Sequence, residues 1–269
     1  MKHYRRALTI AGSDSGGGAG IQADLKTFSA LGCYGMSVIT ALTAQNTVAV
    51  TEIHAVPPAF IVRQIDAILD DIGVDAIKIG MLHSAEVVRA VAERLARLGA
   101  VPIVLDPVMV AKSGARLLQD EAVEALRTSL LPLATVITPN LPEAEVLWGR
   151  PIADLAAMRE ASVALSALGP RAVLVKGGHL RDPHSPDVLY IASEGRLAVL
   201  EGEWVETPNT HGTGCTLSSA IAAYLARGET IYDAVVKAKR YLTEALRAGA
   251  AYTLGHGHGP VHHFYAHWE

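Results

Sequence analysis

The alternation of short aliphatic runs with longer helical patterns is the strongest constraint on the fold of this 269-residue chain. The run Ala7-Leu8-Thr9-Ile10-Ala11 has the length and content of a buried strand, and helical spacing of apolar side chains follows over residues 20–31. The same pair recurs in residues 75–80 and 85–98. Strands separated by helices favour a mostly parallel sheet with helices on both faces. We therefore predict an α/β fold in which residues 1–269 form a single domain.

Two segments depart from this alternation and predict antiparallel pairs. Residues 37–44 and 48–56 both have strand character and flank a turn at Asn46. We expect residues 37–56 to form a hairpin that projects as a small β flap over the site. A second, late antiparallel pair is expected around the turn Glu194-Gly195.

The composition and net charge indicate which kinds of binding partner to expect. Hydrophobic residues make up 50% of the chain and charged residues 19%, which predicts a sizeable core. The net charge is −4 and no basic run is present, so nucleic acid is not an expected partner. No apolar stretch approaches the roughly 20 residues of a membrane helix, and the basic start precedes too short an apolar segment for a secretory signal. We expect no membrane partner, a cytoplasmic location, and reduced Cys33 and Cys215.

The segment with the most chemical content is Asn209-Thr210-His211-Gly212-Thr213-Gly214-Cys215-Thr216, which precedes an alanine-rich apolar run. Its glycines permit a tight turn, and a helix that begins here points free N–H groups and its positive dipole end at one spot. The same dipole predicts a lowered pKa for the Cys215 thiol. An anion site with a titratable group suits phosphoryl transfer. The alternative is a helix with a flexible N-cap and a small buried cysteine.

A second glycine loop, residues 12–20, follows the first strand and would let the backbone approach a compact ligand. A dinucleotide-binding fold also places glycines here, but the acidic residue expected about 20 residues further on is not evident. A flexible connector is another alternative. Asp24, one turn into the next helix, either faces the site or is an exposed helix carboxylate.

Three more polar groups follow predicted strands, at the edge of the sheet where ligands bind in folds of this kind. Asn140 and Glu143 are three residues apart at a helix start, so they could hold Mg²⁺ together or form a capping box. Lys176 precedes two glycines and could meet a transferring phosphate or be solvated in a turn. Asp106 could hold metal-bound water, assist proton transfer, or simply begin a turn.

Alternating glycine and histidine in Gly255-His256-Gly257-His258-Gly259 suggest metal binding at first sight. Further imidazoles follow at irregular spacing, and no carboxylate or thiol accompanies them at fixed positions. The pattern therefore favours a glycine-rich connector with ordinary polar packing over a metal site.

Together these segments resemble the hydroxymethylpyrimidine/phosphomethylpyrimidine kinases, which are thiamine-pathway members of the ribokinase-like superfamily. The resemblance covers nearly the whole chain, and the combination is specific although no single glycine motif would be. Its motifs are Leu8–Asp14, Gly16–Thr27, Lys78–Leu82, Ile137–Ala144, Val175–His179, Asn209–Thr216 and Gly259–Phe264.

The resemblance implies a ribokinase-like three-layer sandwich and two phosphorylations by ATP. The first acts on 4-amino-5-hydroxymethyl-2-methylpyrimidine and the second on its monophosphate. Dependence on Mg²⁺ and a homodimer are also implied. Cys215 takes the position of the aspartate base of the wider superfamily, and Gln45 matches the position that contacts the pyrimidine. Some relatives carry glutamate in place of Gln45, which leaves the tolerance of pyridoxine-type substrates open.

On this basis we predict a role for each site residue. The residues expected in catalysis are Gly212, Gly214, Cys215 and Lys176. Those expected to bind the pyrimidine substrate are Gly12, Asp24, Gln45, Met81 and Val108. Those expected to bind ATP are Lys176, Thr210, His211 and Thr213. Those expected to organise Mg²⁺, mostly through water, are Asp106, Asn140 and Glu143.

Three other functions compete with this prediction. A pyridoxal or pyridoxine kinase would use the same chemistry on a different ring. A non-catalytic protein that binds a vitamin precursor would need the pocket, but not Asn140, Glu143, Lys176 and Cys215 together. A nicotinamide-dependent dehydrogenase is weakened by the missing ribose-binding carboxylate.

Overall fold

A single nine-stranded sheet forms the centre of the fold. The computed structural model describes residues 2–109, 120–178, 180 and 186–268. The strands are β1 (Arg6–Asp14), β2 (Tyr34–Gln45), β3 (Val50–Ala55), β4 (Ala76–Ile79), β5 (Ile103–Leu105), β6 (Val136–Ile137), β7 (Ala172–Val175), β8 (Asp187–Ile191) and β9 (Arg196–Leu200). Their spatial order is β3-β2-β1-β4-β5-β6-β7-β8-β9.

The pairing of the strands confirms a mostly parallel sheet. Strands β2, β1, β4, β5, β6 and β7 pair in parallel, and antiparallel pairs add β3 at one edge and β8 and β9 at the other. The β8–β9 connection turns at Gly195 with a φ of 58°, as the sequence predicts. The β2–β3 hairpin differs from a separate projecting flap, because β2 also pairs with β1 along most of its length. Closure of this hairpin over the site stays a prediction.

Helices cover both faces of the sheet. They are α1 (Gly20–Ala30), α2 (Pro58–Leu69), α3 (Ala85–Leu95), α4 (Asp120–Ala125), α5 (Leu141–Trp148), α6 (Leu155–Ser166), α7 (Thr213–Ala226) and α8 (Ile231–Gly249). One core lies between the sheet and α2–α6, and the other lies between the sheet and α1, α7 and α8. Alternate residues of one strand serve the two cores: Val173 and Val175 face the first, and Ala172 and Leu174 face the second. The result is a three-layer sandwich.

Side-chain caps begin four of the described helices, α3, α5, α6 and α8. Thr230 is the N-cap of α8, and its side-chain oxygen accepts a hydrogen bond from the backbone N–H of Asp233. The apolar spacing of a helix continues through Leu131 in the sequence, but α4 ends at Ala125 and gives way to a π-turn at Leu126–Leu130 and a 3₁₀ turn at Leu131–Leu133. Pro132 explains the change, because proline cannot supply an N–H or fit inside a regular α-helix.

The parallel strands all end at the same edge of the sheet, and the polar segments of the sequence follow them there. Asp106 follows β5, Asn140 follows β6 and Lys176 follows β7. The glycine loop between β1 and α1 reaches the same edge, as does the start of α7. Within the described part of the chain, no helix combines the length and apolar content that a membrane crossing requires.

Candidate active site

A cleft of about 770 Å³ opens at the carboxyl ends of the strands. Its walls are the two glycine loops, the strand ends and the first turns of α5 and α7. The predicted site residues line this cleft, with the exception of Asp24. The strand-end pattern in the sequence thus brings residues from distant parts of the chain to one place.

The two glycine loops are packed against each other at the start of α7. Gly212 is the N-cap and has a φ of 79°, a conformation that favours glycine. A Cβ atom at this position would also overlap the carbonyl oxygen of Gly18. The backbone N–H groups at Gly212, Gly214 and Cys215 lie at this helix start beside the cleft, while the N–H of Thr213 donates to the Thr210 carbonyl oxygen at 3.4 Å. This arrangement can hold an anion.

The prediction of a lowered pKa for Cys215 is wrong. Burial of the sulfur, together with the negative charges of Asp24 and Asp106, raises the pKa of the Cys215 thiol to about 11. Burial is the largest cause, and the opposing effects of the Lys78 ammonium and the Gly20 N–H do not offset it. The helix start alone therefore does not set the charge of this sulfur, and the resting protein holds a protonated thiol at neutral pH.

Asp24 lies beneath the cleft rather than in it. Its side chain is fully buried, and its two oxygens lie 2.9 and 2.8 Å from the Lys78 ammonium. The hydroxyl groups of Thr9 and Ser219 donate further hydrogen bonds, each of 2.6 Å. All of this bonding is internal, so a role in direct contact with substrate is not supported by its position. Lys78 does reach the cleft, close to Cys215.

Lys176 and Asp106 form an ion pair on the floor of the cleft. Lys176 Nζ donates to Asp106 Oδ1 at 2.9 Å, and the Thr138 hydroxyl donates to the same oxygen at 3.0 Å. Burial alone would lower the pKa of Lys176, but the Asp106 and Glu143 carboxylates outweigh it and raise the pKa. Lys176 is therefore a fixed positive charge in the cleft.

Asn140 and Glu143 form the capping box that the sequence left as an alternative. Each side chain accepts a hydrogen bond from the other residue's backbone N–H, at 2.9 and 2.8 Å. Burial and the Asp106 carboxylate raise the pKa of Glu143 to about 7, although Lys176 acts in the opposite direction. Both residues still line the cleft, so capping and a ligand role are compatible.

The oxygens of Asp106, Asn140 and Glu143 do not form a closed metal cage. No group of three or more His, Cys, Asp or Glu side chains in the described residues is arranged to ligate a metal by itself. An open set of carboxylate and amide oxygens does fit a hydrated Mg²⁺ that is held partly by phosphate and water. The donor set is thus compatible with the predicted magnesium.

An apolar pocket occupies the end of the cleft beside β2. Met81 packs with Ala41, Ile53 and Val108, and its terminal methyl group lies against the backbone at Gly12. Gln45 borders this pocket. The pocket can hold a small flat ring, with one amide available for its polar edge.

His211, for which nucleotide binding stays a prediction, contacts residues at the ring end of the cleft. Its Nε2 is 2.8 Å from Asp14 Oδ2 and 3.3 Å from Gln45 Nε2. Thr210 and Thr213 also line the cleft, and their binding of ATP stays a prediction. His179, in the motif that follows β7, lies outside the described residues. The position of His211 favours a role toward the ring.

The far end of the cleft was missed by sequence reasoning. It is lined by Trp204 and Val205 after β9 and by Leu242, Thr243 and Leu246 on α8. These residues carry no motif and follow no parallel strand, so nothing in the sequence marks them. Lys78 did carry a signal, because a lysine interrupts an otherwise apolar strand.

The glycine-rich segment 255–259 connects the β2–β3 hairpin to the loop before α7. The backbone N–H of His258 donates to the Thr47 carbonyl oxygen at 2.9 Å, and the N–H of His211 donates to the Gly259 carbonyl oxygen at 3.0 Å. A Cβ atom at Gly257 would collide with the Thr47 carbonyl. The glycines of this segment let its backbone pack closely against the β2–β3 turn.

Comparison with known proteins places the chain among vitamin kinases. The family model for phosphomethylpyrimidine kinase matches residues 14–262. The chain is 53% identical to the hydroxymethylpyrimidine/phosphomethylpyrimidine kinase of Rhizobium meliloti, over 98% of each protein. It is 54% identical to the thiamine biosynthesis bifunctional protein ThiED of Geobacter sulfurreducens, over 96% of this chain but 52% of that protein. The chain therefore spans about half of the bifunctional relative.

A solved structure shows the same fold. Pyridoxal kinase from Staphylococcus aureus, in complex with AMP-PCP and pyridoxal, superimposes with a TM-score of 0.88. The two proteins share 35% identity over 98% of this chain and 95% of that one. The likeness confirms the predicted ribokinase-like sandwich.

Proposed function

The chain belongs to the phosphomethylpyrimidine kinase family, and we propose that it is the ATP-dependent kinase of the hydroxymethylpyrimidine and its monophosphate in thiamine biosynthesis. One observation carries the proposal: a single cleft joins an apolar ring pocket to an anion-binding helix start and a fixed lysine. These are the parts needed to hold an alcohol, a phosphoryl group and a leaving phosphate in line.

The ring pocket would hold the pyrimidine between Met81 and Val108, with Gln45 on its amino edge. The hydroxymethyl oxygen would then lie near Cys215. The far end of the cleft would take the nucleotide, with Thr210 and Thr213 beside its phosphates. The S. aureus relative, which was solved with AMP-PCP and pyridoxal, supports a two-ligand cleft with ATP as co-substrate.

In the transfer step, the hydroxymethyl oxygen forms a bond to the terminal phosphorus and the bond from that phosphorus to the ADP oxygen breaks. The N–H groups of Gly212, Gly214 and Cys215 stabilise the negative charge on the transferring oxygens. Lys176 neutralises charge on the leaving side, and its pairing with Asp106 holds its ammonium in place. Asp106, Asn140 and Glu143 would hold Mg²⁺ through water, and the ion would supply further charge neutralisation.

Cys215 orients the attacking hydroxyl in this proposal. Because burial keeps its thiol protonated at neutral pH, the resting sulfur cannot accept the hydroxyl proton. A sulfur at the start of α7 can still fix the position of the hydroxymethyl oxygen by hydrogen bonding. The proton leaves with the phosphorylated product or to solvent, since a loose transition state needs little early base assistance.

A pyridoxal kinase is the second candidate, and the fold match to the S. aureus enzyme favours it. The relatives with about half of their residues identical carry the pyrimidine kinase name instead, which supports the first candidate. Gln45 offers one donor and one acceptor, and this pattern complements an aminopyrimidine edge.

Two finer features of the proposal come from the family resemblance. We expect a homodimer, which sedimentation equilibrium at micromolar concentration measures directly. We expect a cytoplasmic location, where ATP is available as co-substrate, and fractionation of cells that express the natural chain tests it.

A kinase assay tests the function. The protein is incubated with Mg²⁺, ATP and, in parallel, the hydroxymethylpyrimidine, its monophosphate, pyridoxine and pyridoxal, and the products are resolved by mass. The proposal expects kcat/KM to be highest for the two pyrimidines, and ATP consumption to require the alcohol. A preference for pyridoxal would support the second candidate, and binding without turnover would support a non-catalytic protein.

A further inference from the structure

Asp14 organises a polar network at the ring end of the cleft. It ends β1 and accepts hydrogen bonds from the backbone N–H groups of Gly16, Gly18 and Ala19, at 2.8, 3.1 and 2.8 Å. Its Oδ2 also lies 2.8 Å from Nε2 of His211. The loop between β1 and α1 is thereby joined to the loop before α7.

The charge of Asp14 determines which ring nitrogen of His211 carries a hydrogen in their contact. Burial alone would raise the pKa of Asp14, but hydrogen bonds from His211, Ala19 and Gly16 outweigh burial and lower it. The carboxylate is therefore ionised at neutral pH, and an ionised carboxylate accepts hydrogen bonds and donates none. Nε2 of His211 must carry the hydrogen in this contact, whether the ring is neutral or charged.

Gln45 contacts the same nitrogen from the other side. One end of its amide is 3.3 Å from Nε2 of His211, and the other end is 3.1 Å from the Thr43 hydroxyl oxygen. A nitrogen that carries a hydrogen cannot accept one from an amide NH₂ group, so the amide oxygen must face His211. The amide nitrogen then donates to Thr43, whose own hydrogen goes to the Ser13 carbonyl oxygen at 2.9 Å. Amide oxygen and nitrogen have nearly the same size, so this orientation fits the same space.

We propose that His211 and Thr43 are positioning residues that fix the orientation of the Gln45 amide and thereby select which way round the substrate ring binds. The inference rests on the proposed function, because it takes the aminopyrimidine edge as the partner of Gln45. With the amide oxygen on the His211 side, the 4-amino group of the ring lies on that side. The ring nitrogen N3 lies on the Thr43 side and accepts from the amide nitrogen.

The orientation of the ring determines where the reacting alcohol points. The 5-hydroxymethyl carbon is attached next to the carbon that bears the 4-amino group, so it lies on the His211 side as well. The chain runs from His211 directly to Cys215 at the start of α7. The opposite amide orientation would send the hydroxymethyl group toward Thr43 and the end of β2. One amide thus decides whether the reacting oxygen reaches the anion site.

The test compares the 4-amino alcohol with its 4-oxo analogue, whose carbonyl and N3–H reverse the pattern of donor and acceptor. The wild type should prefer the amino alcohol by more than about 100-fold in kcat/KM, because the reversed pattern leaves two buried groups mismatched. In His211→Leu and Thr43→Val the amide is less constrained, so this preference should fall by about tenfold or more. KM for ATP should stay unchanged. The matched controls His211→Gln and Thr43→Ser keep a donor and a hydroxyl and should keep the preference.

Unchanged discrimination in both His211→Leu and Thr43→Val would overturn the inference. A His211→Leu variant whose only defect is a raised KM for ATP would also overturn it, because His211 would then act on the nucleotide. Circular dichroism verifies folding, and Thr43→Val carries the test if the histidine variant does not fold. Failure of the proposed function looks different: the wild type would phosphorylate neither pyrimidine alcohol.

Discussion

His263 allows a quantitative test of how burial controls charge next to the active site. Its side chain is 4% exposed, and its Nε2 lies 3.0 Å from the hydroxyl oxygen of Thr216, the residue after Cys215. Burial, assisted by nearby Lys26 and His262, lowers the pKa of His263 to about 3. The folded protein therefore keeps this imidazole neutral over the whole range in which most proteins are stable.

The unfolded chain binds a proton at His263 with the ordinary pKa of 6.5. Because the unfolded state then takes up more protons than the folded state, the free energy of unfolding decreases as the pH falls below 6.5. Above pH 6.5 the titration of His263 no longer changes the free energy of unfolding. Each pH unit corresponds to about 1.4 kcal/mol, so moving from pH 7.5 to pH 5 should remove about 2 kcal/mol through His263 alone.

Urea unfolding followed by circular dichroism measures this loss. We expect His263→Gln to be less stable than the wild type at pH 7.5 but to lose about 2 kcal/mol less between pH 7.5 and pH 5. The exposed His54 offers a matched control, and His54→Gln should lose as much as the wild type. Equal losses in wild type and His263→Gln would show that the buried imidazole is not held neutral by the fold.

Three further predictions concern the cleft and its supports. In a steady-state kinase assay, Cys215→Ala should lower kcat about 100-fold, and Cys215→Ser should keep at least about a tenth of the wild-type kcat. An inactive serine variant would indicate that the thiol acts as a base. Asp24→Asn should lower the free energy of unfolding, measured with urea, by about 3–5 kcal/mol, because it leaves the buried Lys78 ammonium without its carboxylate. Adding Lys78→Met should recover part of that loss. Gly257→Ala should lower the free energy of unfolding by about 1–3 kcal/mol in the same assay, because the added Cβ collides with the Thr47 carbonyl. Gly99→Ala should leave it unchanged, because a Cβ at Gly99 meets open space.

Much of the fold follows from local pattern. The strands of the parallel core are short aliphatic runs such as Ile77–Ile79, and burial on both faces leaves few other structures open to them. Apolar spacing places the end of α4 too late, because this spacing continues through Leu131 although Pro132 ends the regular hydrogen bonding. Pattern alone also did not show that β2 pairs with β1 and β3 at once, since pairing partners are set by the whole sheet.

The sequence predicts which residues reach the site, because the topology of the sheet places them there. It does not predict their pKa values or side-chain partners, because these depend on residues far away in the sequence. Strand ends bring Asp106, Asn140 and Lys176 together, so their place in the sequence is sufficient. The pKa of Cys215 depends on burial and on carboxylates far away in the sequence, which a helix-start motif does not reveal. His211 likewise finds its partner 197 residues away, at Asp14.

A structure of the protein with Mg²⁺, AMP-PCP and the hydroxymethylpyrimidine would show most directly whether phosphoryl transfer takes place at the start of α7. We expect the terminal phosphate to accept hydrogen bonds of about 3 Å from the N–H groups of Gly212, Gly214 and Cys215. The hydroxymethyl oxygen should face that phosphorus from the side of Gln45. A terminal phosphate bound elsewhere in the cleft, out of reach of these N–H groups, would contradict the proposed site.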